Sequence, residues 1–390
     1  MAEKSTTRRE FLKNAGLIAG AAIAGPVVSG LFSSTLSLFP PPSTFRKLTG
    51  AANPYLETAR WWKSACAGVQ CTLCPFNCFL PEGVRGHCNV RMNSDGRLVT
   101  LVYAQPAAMH VDPIEKKPVF HMYPGSRSFS VATVGCNLRC AFCQNWEISQ
   151  SFPEQAAGKR FLPKEVVEGA ILTGSRSIAY TYSEPAVFYE YVYDIAALAK
   201  QNKLRNVVVS GGYINEEPLR ELAPLLDVMK VDLKGFNENF YRRVVGGKLK
   251  YVLKTLERLV RLGVFTEVVN LVVPTLNDDL GEIRAMCRWV KRELGQDVPL
   301  FFSRFTPQYK LQNLPPTPLE TIKRAREIGL EEGLRYVYSG NIPGDEGENT
   351  FCPTCKKALI ERYGYTVLAN RLLPGGFCPY DRTKIPGIWD

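Results

Sequence analysis

Short apolar runs alternate with amphipathic stretches from Ser128 to about Ser339. The apolar runs are rich in β-branched and aromatic residues and predict strands at Ser128–Val134, Ser177–Tyr182, Asn206–Ser210, Val228–Leu233, Thr266–Val273, Leu300–Phe305 and Tyr336–Ser339. Apolar residues at helical spacing predict helices at Ala186–Gln201, Glu217–Leu226, Val252–Leu262, Leu280–Leu294 and Pro318–Glu332. Strands that alternate with helices form a parallel sheet, so this pattern predicts an α/β fold, a full or partial TIM-type barrel.

Three cysteines follow the first predicted strand with the spacing CxxxCxxC: Cys136, Cys140 and Cys143. Three closely spaced thiolates can hold three irons of a [4Fe–4S] cluster and leave the fourth iron without a protein ligand. An open iron is a site for chemistry rather than for simple electron transfer. The alternative is a zinc site with a remote fourth ligand, but structural zinc motifs usually pair two CxxC-like units and this triad has no local partner.

Polar residues end four other predicted strands, at Thr181–Pro185, Ser210–Tyr213, Lys230–Lys234 and Ser303–Phe305. Taken singly, a polar residue at the end of a strand is usually a helix cap or part of a turn. In a barrel, however, the carboxyl ends of successive strands share one face, and functional residues gather there. The pattern therefore predicts a single site that includes the cysteine triad.

Two further groups of cysteines are candidate metal sites. Twelve cysteines against three histidines favour iron–sulfur or zinc, and their tight clusters argue against use in disulfides. The N-terminal group, with Cys66 upstream, suits a closed site for structural zinc or an auxiliary cluster and consists of Cys71, Cys74, Cys78 and Cys88. The C-terminal group is Cys352 and Cys355, with Cys378 as a further member.

The net charge of +11 is of the kind found in nucleic-acid-binding proteins. Lys and Arg are scattered, however, and no compact basic stripe with interleaved aromatic residues occurs. We therefore expect no nucleic acid among the partners and treat the charge mainly as solvated surface.

Residues 1–42 predict an export signal or anchor followed by a linker. Arg8 and Arg9 precede Phe11 and an apolar stretch from Ala15 to Phe32, which resembles a twin-arginine signal. About 20 apolar residues are enough to span a bilayer, so the stretch could also remain as a membrane anchor. The expectation is export, or anchoring that faces outward, with the cytoplasm as the alternative.

Four segments carry a family resemblance: Phe120–Gly125, Cys143–Ser149, Ala179–Pro185 and Tyr338–Asn341. With the triad, they make the chain similar to the radical SAM enzyme of the AmmeMemoRadiSam system and to the activating enzymes of pyruvate formate-lyase and other glycyl radical enzymes. The resemblance runs from about Cys71 to Trp389. It implies a [4Fe–4S] cluster whose open iron binds S-adenosylmethionine (SAM), and reductive cleavage of SAM to a 5′-deoxyadenosyl radical.

The resemblance also implies roles for three residues at strand ends. Glu184 would contact the amino group of SAM, Asp232 would lie near a monovalent cation, and Lys234 would lie near the SAM carboxylate. A fixed ammonium group that faces a carboxylate is favourable on physical grounds alone.

The chain departs from the family pattern at three places. The Gly-Gly that usually precedes the glutamate is absent before Glu184, and Phe301 and Thr306 stand in a segment where relatives have a histidine. The resemblance implies a second CxxC pair near the C-terminus, where the chain has Cys378 and Asp381. An aspartate can replace a cysteine as a zinc ligand, so we expect a zinc-like site formed by Cys352, Cys355, Cys378 and Asp381.

These observations predict a radical SAM enzyme that abstracts a hydrogen atom from a substrate, with activation of a glycyl radical protein as one outcome. The expected partners are SAM, an electron donor and a protein substrate, with membrane association through the N-terminus. The alternatives are an exported iron–sulfur electron-transfer protein and a zinc-stabilised binding protein. The predicted divisions are 1–42, a Cys-rich region at 43–125, a radical SAM barrel at 126–345 and a Cys-containing module at 346–390.

Overall fold

The structure is a computed structural model that describes residues 56–156 and 158–390. The predicted export signal or anchor at 1–42 lies outside the described residues, as does the start of the Cys-rich region up to residue 55. Among the described residues, none of the helices combines the length and the apolar character needed to cross a bilayer.

Two small antiparallel sheets form the N-terminal region. Their strands are β1 (Glu57–Thr58), β2 (Trp62–Ala65), β3 (Gly68–Cys71), β4 (Phe79–Leu80), β5 (Arg91–Ser94) and β6 (Arg97–Thr100). The strand orders are β1-β6-β5 and β2-β3-β4. Asp95 and Gly96 connect β5 to β6 with φ angles of 53° and 72°, which is the backbone that a two-residue Asp-Gly hairpin turn requires.

A sheet of eight strands forms the body of the molecule. Its strands are β7 (Ala108–Pro113), β8 (Arg127–Ala132), β9 (Ser177–Tyr180), β10 (Arg205–Ser210), β11 (Val228–Asp232), β12 (Phe265–Val272), β13 (Leu300–Arg304) and β14 (Val337–Gly340). They lie in the order β14-β13-β12-β11-β10-β9-β8-β7. β7 is antiparallel to β8, and the seven strands from β8 to β14 are parallel. Within the described residues β7 and β14 do not pair with each other, so the barrel is partial.

The helices follow the strands in sequence. They are α1 (Trp146–Ser149), α2 (Pro163–Leu172), α3 (Tyr189–Gln201), α4 (Glu216–Leu222), α5 (Glu238–Phe240), α6 (Leu249–Arg261), α7 (Leu280–Trp289) and α8 (Leu319–Glu331). Pro185 begins a 3₁₀ turn that leads into α3, where the missing N–H of a proline costs nothing. All seven strands and five helices that the periodicity predicts are present, and the α/β fold is confirmed. In the barrel region β7 and the helices α1, α2 and α5 are additional, and β7 joins the main sheet although it precedes the predicted start of the barrel.

The C-terminal module packs against one side of the barrel. It contains β15 (Thr350–Phe351), β16 (Ala358–Tyr363) and β17 (Thr366–Asn370) in one antiparallel sheet. Ile388 then forms a parallel bridge with Met122, in the segment between β7 and β8. The carboxylate of Glu267 on β12 fixes that segment because it accepts hydrogen bonds from the backbone N–H groups of Phe120 and His121, both at 3.0 Å.

Candidate functional site

The cysteine triad lies in a loop of residues 133–145, here called the cysteine loop, which follows β8. The N–H groups of Arg139 and Ala141 donate to the carbonyls of Val245 and Val244, both at 2.9 Å. The N–H of Lys310 donates to the carbonyl of Ala141, also at 2.9 Å. Neighbouring parts of the barrel rim therefore hold the loop on both sides.

The thiols of the triad lie in a polar but largely buried setting. Cys140 is buried, whereas Cys136 and Cys143 are partly exposed. The N–H of Leu138 lies 3.3 Å from Sγ of Cys136, and the hydroxyl of Ser149 on α1 lies 3.2 Å from Sγ of Cys143. Burial raises the pKa of Cys140 to about 12, against the opposing effect of Lys234. Without a metal this thiol is therefore protonated at neutral pH, and metal binding would release its proton.

Glu184 follows β9 and points into the same region. Its carboxylate accepts hydrogen bonds from the Ser210 hydroxyl at 2.6 Å, the Gly211 N–H at 2.8 Å and the Ala186 N–H at 3.1 Å. Burial raises the pKa of Glu184, while these three donors and Lys234 lower it. A carboxylate has about four acceptor positions, so one remains for a further donor.

Asp232 and Lys234 lie at the carboxyl end of β11. Nζ of Lys234 is 3.2 Å from Oδ2 of Asp232, and Lys230 forms a second ion pair with Asp232. Burial alone would raise the pKa of Asp232, but the two ammonium groups lower it to about 2. Burial disfavours the charged form of Lys234, yet Asp232 and the neighbouring Cys140 sulfur raise its pKa above the ordinary value. Lys234 therefore stays charged beside the cysteine loop.

Two buried polar atoms near these residues have no hydrogen-bond partner in the part of the chain that the structure describes. They are the hydroxyl of Ser183, next to Glu184, and the side-chain carbonyl oxygen of Asn270 on β12. The amide of Asn270 donates to the carbonyl of Leu233 at 2.8 Å. Because a buried polar atom without a partner costs free energy, such atoms mark a place that a polar ligand can satisfy.

Comparison with known proteins assigns the family. The model of the radical SAM superfamily matches residues 130–290. An uncharacterized protein of Methanocaldococcus jannaschii is 47% identical over 295 residues, which are 76% of this chain and 88% of that protein. The chain belongs to the radical SAM superfamily.

Two other relatives bear names that describe an activity or a ligand. Pyruvate formate-lyase 1-activating enzyme of Escherichia coli K12 is 25% identical over 229 residues, 55% of this chain and 93% of that enzyme. The structure of Streptococcus suis SuiB bound to S-adenosylmethionine is similar with a TM-score of 0.45 and 10% identity, over 58% of this chain and 53% of that chain. The superfamily assignment and the match to an activating enzyme identify this radical SAM protein as an enzyme, and the superfamily implies a [4Fe–4S] cluster and SAM.

The side chains present fit the implied groups. In a [4Fe–4S] cluster each thiolate binds a different iron, so the sulfurs lie further apart than around one ion. Among the described residues, the three sulfur atoms of the triad do not all lie within 4.8 Å of one another. The three thiols are therefore not gathered around one point. Lys234, the free acceptor position of Glu184 and the unpaired Ser183 hydroxyl are suited to the carboxylate and amino groups of an amino acid.

The family resemblance implies a histidine in the segment of Phe301 and Thr306, and the chain has none there. The ring of Phe301 packs against Phe120 and Tyr338, with centroids 4.8 and 4.9 Å away. Thr306 is exposed at the rim. Neither residue can replace an imidazole in proton transfer, so neither supplies that role here.

A buried polar network that sequence reasoning missed lies below the site. Asp112 on β7 accepts hydrogen bonds from Lys117 at 2.5 Å, from Ser130 at 2.9 Å and from the hydroxyl of Tyr182. Burial lowers the pKa of Lys117 to about 8, although Asp112 opposes the shift. Tyr182, two residues after the end of β9, has a φ of 63°, which is unusual for a bulky residue. The sequence feature that could have indicated this network is the charged cluster Asp112–Lys117, which lies between apolar segments.

The C-terminal group of ligands comes together in space. Sγ of Cys352 lies 3.3 Å from Asp381, Sγ of Cys355 lies 3.7 Å from Sγ of Cys378, and all four ligand atoms lie within 4.8 Å of one another. Sulfurs around tetrahedral zinc, with Zn–S bonds of about 2.3 Å, lie about 3.8 Å apart. The geometry thus fits a single zinc ion.

Two similar turns carry these four residues. Lys356 donates its N–H to the carbonyl of Cys352, and Arg382 donates to the carbonyl of Cys378, both at 3.0 Å. Lys356 and Arg382 have φ angles of 63° and 64°. Asp381 therefore occupies the position in its turn that Cys355 occupies in the other.

Proposed function

We propose that this radical SAM enzyme binds a [4Fe–4S] cluster through Cys136, Cys140 and Cys143, and binds SAM beside Glu184, Asp232 and Lys234. When bound, the cluster supplies the electron that cleaves SAM to methionine and a 5′-deoxyadenosyl radical, which abstracts a hydrogen atom from the substrate. The observation that carries the proposal is the meeting of three thiols, a carboxylate and an ammonium group at the carboxyl ends of β8, β9 and β11.

The residues around the triad orient the amino-acid part of SAM. Lys234 stays charged because of Asp232 and can donate to a carboxylate; a charge-assisted hydrogen bond of this kind is about twice as strong as a neutral one. Glu184 is fixed by three donors and keeps one acceptor position for an ammonium group. Both groups are preorganised, so SAM binding requires little rearrangement of the protein.

The middle of the cysteine loop is shielded from water. Cys140 is buried, and the ring of Phe142 lies 3% exposed beside it in the loop. Nζ of Lys234 lies 5.7 Å from the centroid of that ring, so an aromatic face and a cation border the same space. A dry site protects a reactive radical from side reactions.

A narrower candidate function is the formation of a glycyl radical in a partner protein. It is favoured by the match to an enzyme named for activating pyruvate formate-lyase, which extends over 93% of that enzyme. In this case the substrate is a protein segment that reaches the rim of the barrel. The AmmeMemoRadiSam assignment is compatible with this candidate and stays a prediction.

The decisive experiment is anaerobic purification of the full chain, followed by assay of 5′-deoxyadenosine from SAM with dithionite as the reductant. We expect the wild type to form 5′-deoxyadenosine. The variant Cys136→Ala/Cys140→Ala/Cys143→Ala should lose the activity, because no other thiols replace the three iron ligands. The matched control is Cys66→Ser, at an exposed thiol outside the three groups.

Other outcomes would support the rival functions. An iron–sulfur protein that is redox-active but forms no 5′-deoxyadenosine would be an electron carrier. A colourless protein that contains only zinc would be a zinc-stabilised binding protein. Activity in the triple variant would reject the assigned ligands.

A further inference from the structure

The four N-terminal thiols line one small cavity outside the SAM site. Cys71 ends β3, and Cys88 precedes β5; both are buried, whereas Cys74 and Cys78 are partly exposed. All four border the same space, together with Gly86, His87, Arg91, Leu73 and Val187. Residues that are up to 17 positions apart in sequence thus face each other across one cavity.

The local backbone explains why the thiols converge. The N–H of Cys71 donates to the carbonyl of Cys78 at 2.9 Å, and the N–H of Asn77 donates to the carbonyl of Cys74 at 3.0 Å. Asn77 and Asn89 adopt left-handed conformations with φ angles of 44° and 68°, which asparagine tolerates better than most residues. Two tight turns therefore direct the cysteines inward.

The spacing of these thiols differs from that of the C-terminal group. The C-terminal ligand atoms lie within 4.8 Å of one another, as the ligands of a single ion must, and the four N-terminal thiols form no such group in the described part of the chain. Four thiolates that each bind a different iron of a [4Fe–4S] cluster are more widely spaced. The N-terminal thiols are therefore not gathered around one point as the C-terminal ligands are.

A buried cation borders the same cavity. Arg91 is 1% exposed, and its guanidinium is paired with both carboxylate oxygens of Glu190, at 2.5 and 2.6 Å. Its second terminal nitrogen donates to the carbonyl of Arg60 at 2.9 Å. A guanidinium at this place offsets part of the negative charge that four thiolates bring, which is one means by which a protein tunes a cluster.

The cavity lies directly against the cysteine loop. Arg139 of that loop donates to the carbonyl of Cys136 at 2.6 Å and also to the carbonyl of His87. A Cβ atom at Gly135 would lie 3.0 Å from the carbonyl oxygen of Cys88 and 2.5 Å from Val90. Only glycine fits there, so the two groups of cysteines are packed backbone against backbone.

We propose that Cys71, Cys74, Cys78 and Cys88 hold a second [4Fe–4S] cluster, with all four irons ligated by the protein. With no open iron, this cluster cannot bind SAM, and its presence does not depend on SAM cleavage at the first. Phe76 stacks on His87 with centroids 4.1 Å apart and packs against Tyr213 at 5.3 Å, which gives the cluster an aromatic wall toward the barrel.

The experiment counts iron and acid-labile sulfide per chain after anaerobic reconstitution of the full-length protein. Two [4Fe–4S] clusters give about eight irons and eight sulfides per chain. The variant Cys136→Ala/Cys140→Ala/Cys143→Ala should retain about four of each. After reduction with dithionite, it should show the paramagnetic resonance of one reduced cluster, and added SAM should leave that signal unchanged.

Complementary variants separate loss of the cluster from loss of the fold. Cys78→Ser, at a partly exposed thiol, should lower the sulfide count by about half and leave the circular dichroism spectrum unaltered, whereas Cys66→Ser should change neither. The proposal is overturned if the triple variant contains no sulfide, or if wild-type protein has about four irons and two zinc ions per chain. Absence of 5′-deoxyadenosine with two clusters present would reject the proposed function alone.

Discussion

Lys234 shows how one side chain can serve both the stability and the chemistry of this protein. Asp232 keeps the ammonium group of Lys234 charged, and this charge in turn favours the thiolate form of the neighbouring Cys140. Because burial disfavours an ammonium group, its retention in the charged form depends above all on the carboxylate of Asp232. A ligand carboxylate would add one more such neighbour.

We expect Lys234→Ala to weaken SAM binding by about 1.5–3 kcal/mol, the contribution of a hydrogen bond to a charged group. Isothermal titration calorimetry of reconstituted protein measures the loss, and iron content should stay at the wild-type value. Lys254→Ala, at an exposed position of α6, is the control. An unchanged affinity in Lys234→Ala would show that the ammonium group points away from SAM.

His121 leads to a prediction about pH. Its ring is 0% exposed, and its nitrogens lie 2.7 Å from the Tyr338 hydroxyl and 2.6 Å from the Pro386 carbonyl. Burial lowers its pKa from 6.5 to about 3, although the bond to Pro386 opposes the shift. Between these two pH values the unfolded chain therefore binds the proton and the folded chain does not. The contribution to stability is complete above the unfolded pKa and is lost as the pH falls.

We compare the free energy of unfolding of the wild type with that of His121→Gln. The wild type minus the variant should be about 1.4 kcal/mol smaller at about pH 5.5 than at about pH 7.5. Urea unfolding at both pH values measures this difference. The comparison with the variant is needed because burial raises the pKa of the neighbouring Glu267 to about 7, which changes stability in the opposite sense over part of this range. A difference that does not vary with pH would mean that the buried ring binds its proton as readily as the ring in the unfolded chain, so that its pKa is not shifted.

Some residues of the site could be predicted from sequence and others could not. The proximity of Glu184, Asp232 and Lys234 could be predicted because they lie at or just after the ends of strands in a regular parallel sheet, where side chains converge. Lys117 and Asp112 were not, because they belong to an edge strand and an irregular segment whose position depends on distant contacts. Ser210 and Gly211 stood out only as a strand end, and their bonds to Glu184 became visible in three dimensions.

At the scale of elements, the two C-terminal turns lead to predictions about zinc binding. Cys352→Ser should release the zinc and lower the free energy of unfolding by more than about 2 kcal/mol, because metal binding contributes directly to folding. 5′-Deoxyadenosine formation should change little. Zinc analysis and thermal unfolding measure the two effects, and removal of zinc by a chelator should reproduce the loss of stability.

The complementary variant is Asp381→Cys. Since Asp381 and Cys355 hold equivalent positions in their turns, the new thiol should complete a site of four thiolates and bind zinc at least as tightly as wild type. Loss of zinc in Asp381→Cys would contradict the equivalence. Retention of zinc by Cys352→Ser would mean that the ion lies elsewhere.

Elements differ in how well their sequences specify them. The strands from β8 to β14 are buried on both faces, so their sequences are nearly continuous β-branched runs that can be recognised directly. β7 was not predicted because His110, Asp112 and Pro113 interrupt its apolar pattern. An antiparallel edge strand tolerates such residues. The N-terminal strands have two to four residues each, which is too short for a period to be detected.

At the scale of the whole molecule, the predicted export of the protein can be tested with residues 1–45 alone. A fusion of these residues to a reporter that is active only outside the membrane should give a signal, because Arg8 and Arg9 precede an apolar stretch. Replacing both arginines by lysine should abolish it. A signal that survives this change would reject the twin-arginine route, and no signal from the unaltered fusion would favour the cytoplasm.

The contact between His121 and Pro386 determines how long one segment of the barrel stays uncovered during synthesis. The two residues are 265 positions apart, so at a ribosomal rate of roughly 5–20 residues per second His121 waits about 13 to 53 s for its partner. During that interval Phe120, His121 and Met122 have no C-terminal module to cover them. The nascent barrel therefore leaves this buried segment uncovered until Ile388 has been translated and has paired with Met122.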